Sequence, residues 1–558
     1  MFKKERVVKQ VFRVFLVLGS CIYMLNAAYL TPDLQEKVDR SLPDEKVKII
    51  VRMKLEADLS TLERSGREAM VQRLKSFANE YQKELLADMT LFGDQVSRIV
   101  PFWIYNGIAM EATRSVIATL LMRQDVGYIE SDGIVTVDAV PADDIRKAYW
   151  NINLIKAPEV WRLGITGKGI VIGNLDSGVD VTHPSFSSRW RQQNGWYDAV
   201  SNKSTPYDDF GHGTHVNGIL CGGSASTTIA DTIGVAPGAT FIAAKALNSS
   251  GAGNLSDLDE CLQWFANLGQ NAPDIINNSW GCSGSDTHFW QSCRNLQSMK
   301  IVVVFANGNA GPNTGTVNAA GSYPLVFGIG ATDNKDGLYA QSSRGPSPKF
   351  YSITENASEY LDPNWATSRR KPDLSAPGVN IMSSKSGGGT VSMTGTSMAA
   401  PHVAGAIALL LENSPSLTPK QVWSILTSNV DKPAGGEPYP NNNYGWGRLN
   451  IYNAIAATPI AKTGKGQVQE QIVLTVHPNR ASGYTQVAFL LDKESHIRLD
   501  VYNAQGQRIA RLADKKYGHG RHEVRWNIQN LCSGMYICRC NADNVTVIRK
   551  ILLAGTGR

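Results

Sequence analysis

Three short segments of this 558-residue chain set a side chain capable of acid–base or nucleophilic chemistry among glycines. GIVIGNLDSGVD places Asp176 just past a run that reads as a buried strand, where a carboxylate meets the cleft of an α/β sheet. DDFGHGTHVNGIL sets His212 between two glycines at the start of a predicted helix, which permits close backbone approach and exposes the imidazole to that cleft. SMTGTSMAAPHVAG sets Ser397 at the start of a helix rich in small residues, near backbone amides that favour negative charge. Each has a plainer reading when taken alone: a turn or cap aspartate, a satisfied polar histidine, an N-cap serine. Together they supply the nucleophile, base and orienting acid that amide hydrolysis by a serine needs, an oxyanion donor being the fourth part.

In the order Asp, His, Ser, the three blocks resemble the signature blocks of the subtilisin-like (subtilase) serine proteases, over about residues 148–457. The resemblance implies Asp176 as the orienting acid, His212 as the general base and Ser397 as the nucleophile of a secreted endopeptidase working through an acyl-enzyme. ANGNAGP is similar to the family's segment bearing the oxyanion donor, which falls on Asn309 rather than its neighbour Asn307. In the family an extended peptide adds as a strand to exposed edges, which implies substrate contacts at Gly251, Ala252, Gly253, Ser279, Trp280 and Gly281. Asn318 then falls at the base of the main specificity pocket, while the glycine run also reads as an ordinary loop. The family pattern makes His183, His215 and His402 structural. His212 and His215 are spaced like metal ligands, but no third ligand presents itself nearby. Such catalysis requires no cofactor; structural calcium is compatible with the family, and no ligand for it can be named. Two other readings use the same fold: a catalytically silent surface-binding protein, and a peptide ligase.

The elements that must position these residues are legible in the hydrophobic pattern. GIVIGNLD, ATFIAAKAL, DIINNSW, KIVVVFANGN and LVFGIGAT are near-continuous apolar runs, as expected of parallel strands covered on both faces. With helices such as SDLDECLQWFANLGQ between them, they predict a doubly wound parallel-sheet α/β domain over 143–460. Upstream, 29–142 alternates strands (KVKIIVRM, FWIYNGIAMEA) with helices, predicting a small α+β unit that resembles the inhibitor-like, ferredoxin-like propeptide of the family. The propeptide is then the chain's own intramolecular inhibitor, removed by self-cleavage between about Val140 and Trp150. After a linker at 461–470, the runs VAFLL, HIRLDVYN, HEVRWNI, GMYICRC and VIRKILL predict a β-sandwich over 471–558. This tail resembles the C-terminal sorting domain of the Bacteroidetes type IX secretion system, which implies outer-membrane secretion machinery as a partner; an adhesive or carbohydrate-binding sandwich is the alternative.

Composition agrees with a globular, exported protein. Hydrophobic residues make up 42% and charged residues 19%, and the formal charge of +6 includes a basic cluster at the extreme N-terminus, which gives nucleic-acid binding no support. VFLVLGSCIYMLNAA follows, of signal-peptide length, predicting a signal segment at 1–28 and export through the periplasm of a Gram-negative bacterium to the medium or the cell surface. The LGSC stretch around Cys21 resembles a lipoprotein box, making acylation there the alternative to release. Of eight cysteines, Cys282 and Cys293 bracket a short polar stretch and form the expected disulfide; Cys532, Cys538 and Cys540 lack zinc-site spacing. That stretch and the insertion KFYSITENASEYLDPNWATSRR are expected in surface loops.

Overall fold

The computed structural model describes residues 28–553, except 63–64, 138–139, 142–148, 224–231, 283–286, 351–356, 459–472, 478–483, 492–493, 504–506, 519, 530, 532–533 and 543–544. The signal segment up to residue 27 with Cys21, the 461–470 linker and Cys532 therefore lie outside the described residues. Residues 1–461 form one compact unit and 462–558 a second.

Alternation in KVKIIVRM sends Ile49 and Val51 to one face of a strand and Ile50 to the other, and both faces are buried. The strand belongs to a sheet of β1 (Tyr29–Leu30), β2 (Lys46–Met53), β3 (Val96–Phe102), β4 (Gly107–Thr113) and β5 (Val126–Ser131), ordered β1-β5-β2-β4-β3. With α1 (Pro32–Arg40) preceding β2, α2 (Gly66–Met89) following it and α3 (Arg114–Leu121) following β4, strands β2 to β5 have the order of a ferredoxin-like fold. The run FWIYNGIAMEA, expected as one strand, is the turn and second arm of a hairpin, with Asn106 at φ 53° where the chain reverses. Ile49 and Val51 pack with Leu85, Val116 and Ile117 of the helices. Ile50, Phe102, Ile104 and Tyr105 join a core shared with the larger sheet.

Two short strands lead out of this sheet, β6 (Ile134–Thr136) and β7 (Val140–Pro141). The larger sheet contains β8 (Val171–Asp176), β9 (Trp196–Asp198), β10 (Thr240–Lys245), β12 (Ile275–Asn278), β13 (Val302–Ala306), β14 (Phe327–Thr332) and β15 (Leu374–Pro377). Its seven strands are all parallel, ordered β15-β14-β13-β12-β8-β10-β9. Each apolar run is buried on both sides: Ile172 and Ala243 face one core, Leu175 and Ala244 the other. On the first face lie α4 (His212–Cys221) and α7 (Thr396–Asn413), on the second α5 (Leu255–Asn267) and α6 (Trp290–Ser298). Three further strands pair with β6 and β7: β11 (Ala252–Asn254) with β6, and β16 (Ile381–Ser384) and β17 (Thr390–Thr394) in one sheet with β7.

Two expectations about the insertions are corrected. Among the described residues of the two insertions, Phe289, Trp290, Phe350, Tyr360 and Trp365 are buried in the second core, Phe350 stacking on Trp365 and Tyr360 meeting Trp365 edge-on, so these side chains do not lie at the surface. Cys293 is a buried free thiol inside α6, not half of a disulfide with Cys282, and burial pushes its pKa up.

The second unit is an all-antiparallel pair of sheets. One has three strands, Val473–His477, Tyr484–Leu491 and Gly520–Asn527; the other has four, Ser495–Asn503, Arg508–Tyr517, Gly534–Ala542 and Val545–Leu553. Leu499, Val501, Trp526 and the cysteines 538 and 540 build its core. Arg508–Tyr517 was not expected as a strand: it is an edge rich in charge, where pairing on one side needs no apolar pattern. No helix among the described residues is long and apolar enough to cross a membrane.

Candidate active site

The site sits at the carboxyl ends of the large sheet's strands, where a doubly wound fold places its ligands. At the end of β8, one oxygen of Asp176 accepts the Ser177 N–H at 2.7 Å and His212 Nδ1 at 2.8 Å. A carboxylate only accepts, so Nδ1 carries the proton and Nε2 is left to act as a base. Both residues are almost completely buried, and His212 Nε2 has no hydrogen-bond partner among the described residues. Glycine makes this contact sterically open: a Cβ on Gly213 would lie 2.1 Å from the Gly178 carbonyl.

Two residues that the sequence reading passed over hold this pair. The Asp208 carboxylate accepts from Gly211 N–H, Thr214 N–H and Ser177 Oγ, tying the start of α4 to the end of β8. Lys245, fully buried at the end of β10, donates to the carbonyls of Ser177 and Leu247 and to Asp209. A lysine closing an otherwise apolar strand run was the available signal.

Ser397 is the second residue of α7. Proline at position 401 removes the N–H that would have bonded the Ser397 carbonyl one helical turn earlier. The Ser279 hydroxyl donates to that carbonyl instead, at 2.9 Å, and the Ser397 hydroxyl donates back to the Ser279 carbonyl, also at 2.9 Å. The nucleophile candidate is thus locked to the strand-end segment Ser279–Gly281. Its hydroxyl points at that carbonyl rather than at His212, so a side-chain rotation precedes any attack. Trp280 is buried, its indole N–H on the Leu175 carbonyl beside Asp176.

Asn309 follows β13 and uses its side-chain oxygen to accept the Thr396 N–H at 2.9 Å and the Thr396 hydroxyl at 3.1 Å. With the oxygen so engaged, the NH2 group is the part of the Asn309 side chain that can donate. Asn307 is buried and donates to the Ser343 carbonyl. Asn318 is wedged between two glycines: a Cβ on Gly281 would lie 2.4 Å from its Nδ2, and one on Gly308 2.5 Å from its Cγ.

The edges expected to bind substrate are occupied by the chain itself. β6 pairs antiparallel with β11, Thr136 opposite Ala252 and Val135 opposite Gly253, and Val137 N–H donates to the Gly251 carbonyl at 3.0 Å. On the other side Thr136 bridges Gly281, so the segment lies between the two edges as a central strand.

His183, His215 and His402, expected to be structural, each contact a backbone carbonyl. His183 contacts the Gly389 carbonyl, His215 the carbonyls of Ile381 and Val391, and His402 the Met398 carbonyl and Asn151. Burial lowers the pKa of His215 to about 3 and of His402 to about 4. His215 and His212 face different partners, and among the described residues no group of three or more His, Cys, Asp or Glu side chains is placed to hold a metal ion.

An α/β unit with a buried Asp–His pair and a serine at a neighbouring helix start defines a serine-hydrolase class of site. Residues 167–447 match the model of the Subtilase family, and residues 475–554 match the Secretion system C-terminal sorting domain. The chain is 32% identical over 479 residues to bacillopeptidase F of Bacillus subtilis (strain 168), covering 78% of this chain and 32% of that protein. It is 33% identical over 355 residues to serine protease AprX of the same organism (56% of this chain, 74% of that protein). To subtilisin E, also from B. subtilis, it is 30% identical over 388 residues (69% and 88%). This chain belongs to the subtilase family of serine endopeptidases and carries a secretion-sorting tail.

Proposed function

We propose that the chain is the precursor of an exported serine endopeptidase in which Ser397 attacks a peptide carbonyl, His212 takes its proton and returns it to the leaving amine, and Asp176 holds the imidazolium. Asn309 and the Ser397 amide receive the oxyanion, and the acyl-enzyme is cleared by water. The observation that carries this reading is the buried 2.8 Å contact between Asp176 and His212, with Nε2 left over, beside a helix start bearing Ser397. Substrates are proteins or peptides, laid as a strand between Gly251–Gly253 and Ser279–Gly281. The N-terminal unit is the chain's own inhibitor, since its residues 134–137 take that strand's place. The tail directs the protein to the outside of a Gram-negative cell through the outer-membrane machinery, with acylation at Cys21 as the alternative to release. Catalysis calls on no cofactor, and any calcium is structural.

The test is Ser397→Ala in the full-length chain. The variant is expected to lose peptide hydrolysis, fluorophosphonate labelling and removal of the N-terminal unit together. Unchanged hydrolysis and processing would end the assignment.

A further inference from the structure

We infer that Asn174 and Asn277 are positioning residues: a buried amide relay through which the large sheet fixes the helix carrying His212 relative to the helix carrying Ser397. This rests on the endopeptidase reading above and deepens it.

Both asparagines interrupt apolar strand runs. Asn174 lies on β8 and Asn277 on β12, directly opposite each other in the parallel pairing. Side chains alternate along a strand, so the two share the face of Ile172 and Ile275, which belong to the core beneath α4 and α7. Asn277 is 0% and Asn174 1% exposed. An amide buried this deeply is costly unless it is bonded, and these two are bonded towards the two helices.

The relay is continuous. Asn174 Nδ2 donates to the Gly213 carbonyl at 3.2 Å, and the Gly213 N–H donates to Ser177 Oγ at 2.9 Å, so the residue after His212 is held by both its N–H and its carbonyl. Asn277 Nδ2 donates to Asn174 Oδ1 at 3.3 Å and to Ser279 Oγ at 3.0 Å. The Ser279 hydroxyl in turn donates to the Ser397 carbonyl at 2.9 Å. Three buried side chains thus join α4 to α7.

The direction of each bond is fixed. Ser279 has one hydroxyl proton, already committed to Ser397, so its oxygen must accept from Asn277. Both N–H bonds of Asn277 are then in use, while its Oδ1 has no partner among the described residues. Turning the amide over would set Oδ1 against the Asn174 oxygen, acceptor on acceptor. A bare acceptor in the core is destabilising, and here it accompanies an amide held in the one orientation that keeps both donors on the relay.

The consequence is catalytic. Proton transfer needs the base within about 3 Å of the hydroxyl it serves. Ser397 must rotate away from the Ser279 carbonyl to reach His212, and where its hydroxyl then arrives depends on the separation of the two helix backbones. The relay holds that separation.

The experiment measures steady-state kinetics of the exported protein on a peptide amide, per site titrated with fluorophosphonate. Asn277→Leu removes the middle of the relay at similar volume, and Asn174→Leu removes the arm to α4. Each is expected to lower kcat about tenfold or more with KM within about twofold, as misplacement of a reacting pair does. The double variant is expected to be slower than Asn277→Leu by no more than about twofold, because the two amides act as one unit. Ile275→Val loosens the same strand face and is expected to lower the urea midpoint while leaving kcat unchanged. Should Asn277→Leu not fold, the kcat of Asn174→Leu decides alone. An unchanged kcat in either folded single variant, a loss confined to KM, losses that multiply in the double variant, or an equal kcat loss in Ile275→Val would overturn the relay. Hydrolysis retained by Ser397→Ala would instead overturn the endopeptidase reading.

Discussion

Replacing Glu130 by glutamine in the full-length chain removes one charge from a buried set of four. Arg52 and Glu130 belong to the N-terminal unit and pair at 2.6 Å; His288 and Asp259 belong to the catalytic unit and also pair at 2.6 Å. His288 Nδ1 lies 3.0 Å from Glu130, Arg52 donates to the His288 carbonyl, and Tyr105 lies under the Arg52 guanidinium. Side-chain exposure is 7% and 12% for Arg52 and Glu130, and 0% for both His288 and Asp259. Each unit thus brings a neutral pair, and the interface interlocks them. Burial alone would lower the His288 pKa, but Asp259 and Glu130 hold it up at about 10; burial alone would raise Glu130, but Arg52 and His288 hold it at about 2. Taking away Glu130 leaves two cations facing one anion. Removing one partner of a buried pair costs about 3–5 kcal/mol, against about 0–1 for an exposed one. Urea unfolding of the Ser397→Ala precursor is the assay, and Glu130→Gln is expected to lose stability on the buried scale. Arg52→Met combined with Glu130→Leu deletes one whole pair and is expected to recover most of the loss. A loss below about 1 kcal/mol, or no recovery in the double variant, would refute the interlocking-pair argument. The pH dependence carries a sign. His288, raised, contributes stability below the ordinary histidine range that fades as pH rises through about 10. Glu130, lowered, contributes stability above the ordinary carboxylate range that fades as pH falls towards about 2. This interface is therefore expected to hold from mildly acid to mildly alkaline pH, unlike one switched by an ordinary histidine.

Asn309→Ala is expected to lower kcat on the order of 10²–10³-fold with KM little changed, a magnitude taken from the oxyanion donor of a subtilisin; steady-state kinetics on a peptide substrate read it. Ser279→Ala leaves the Ser397 carbonyl without a donor, since Pro401 cannot supply one, and is expected to cost about 1–3 kcal/mol in urea unfolding and to lower kcat. His215 and His402 are buried neutral and accept a proton far more readily once unfolded. Stability is expected to fall as pH drops below the ordinary histidine range, down to about 4 for His402 and about 3 for His215, and His402→Gln should flatten part of that slope in unfolding midpoints taken against pH.

Much of the molecule was legible in the chain itself. The apolar runs GIVIGNLD, DIINNSW and KIVVVFANGN read as strands buried on both faces, because a strand with one wet face alternates. Glycines on both sides of His212 announced a close approach of backbones, and the order of the three blocks carried the family. The strands of 471–558 were mostly visible, apart from the charged edge at Arg508–Tyr517. Cysteine spacing misled: Cys293 sits within a helix whose apolar face is buried, and spacing along the chain says nothing about which way a side chain points.

What local pattern could not carry was every contact between residues far apart in sequence. The Ser279–Ser397 exchange joins positions 118 apart, and the Arg52–His288 contact joins positions 236 apart. Hydrophobic period and turn chemistry report only a residue's own neighbourhood. The composition of the chain thus determined its strands, its helices and the residue types available for acyl transfer. Only the packed sheet decided that residues 134–137 would fill the cleft, because strand register is set by which edges the tertiary fold leaves open.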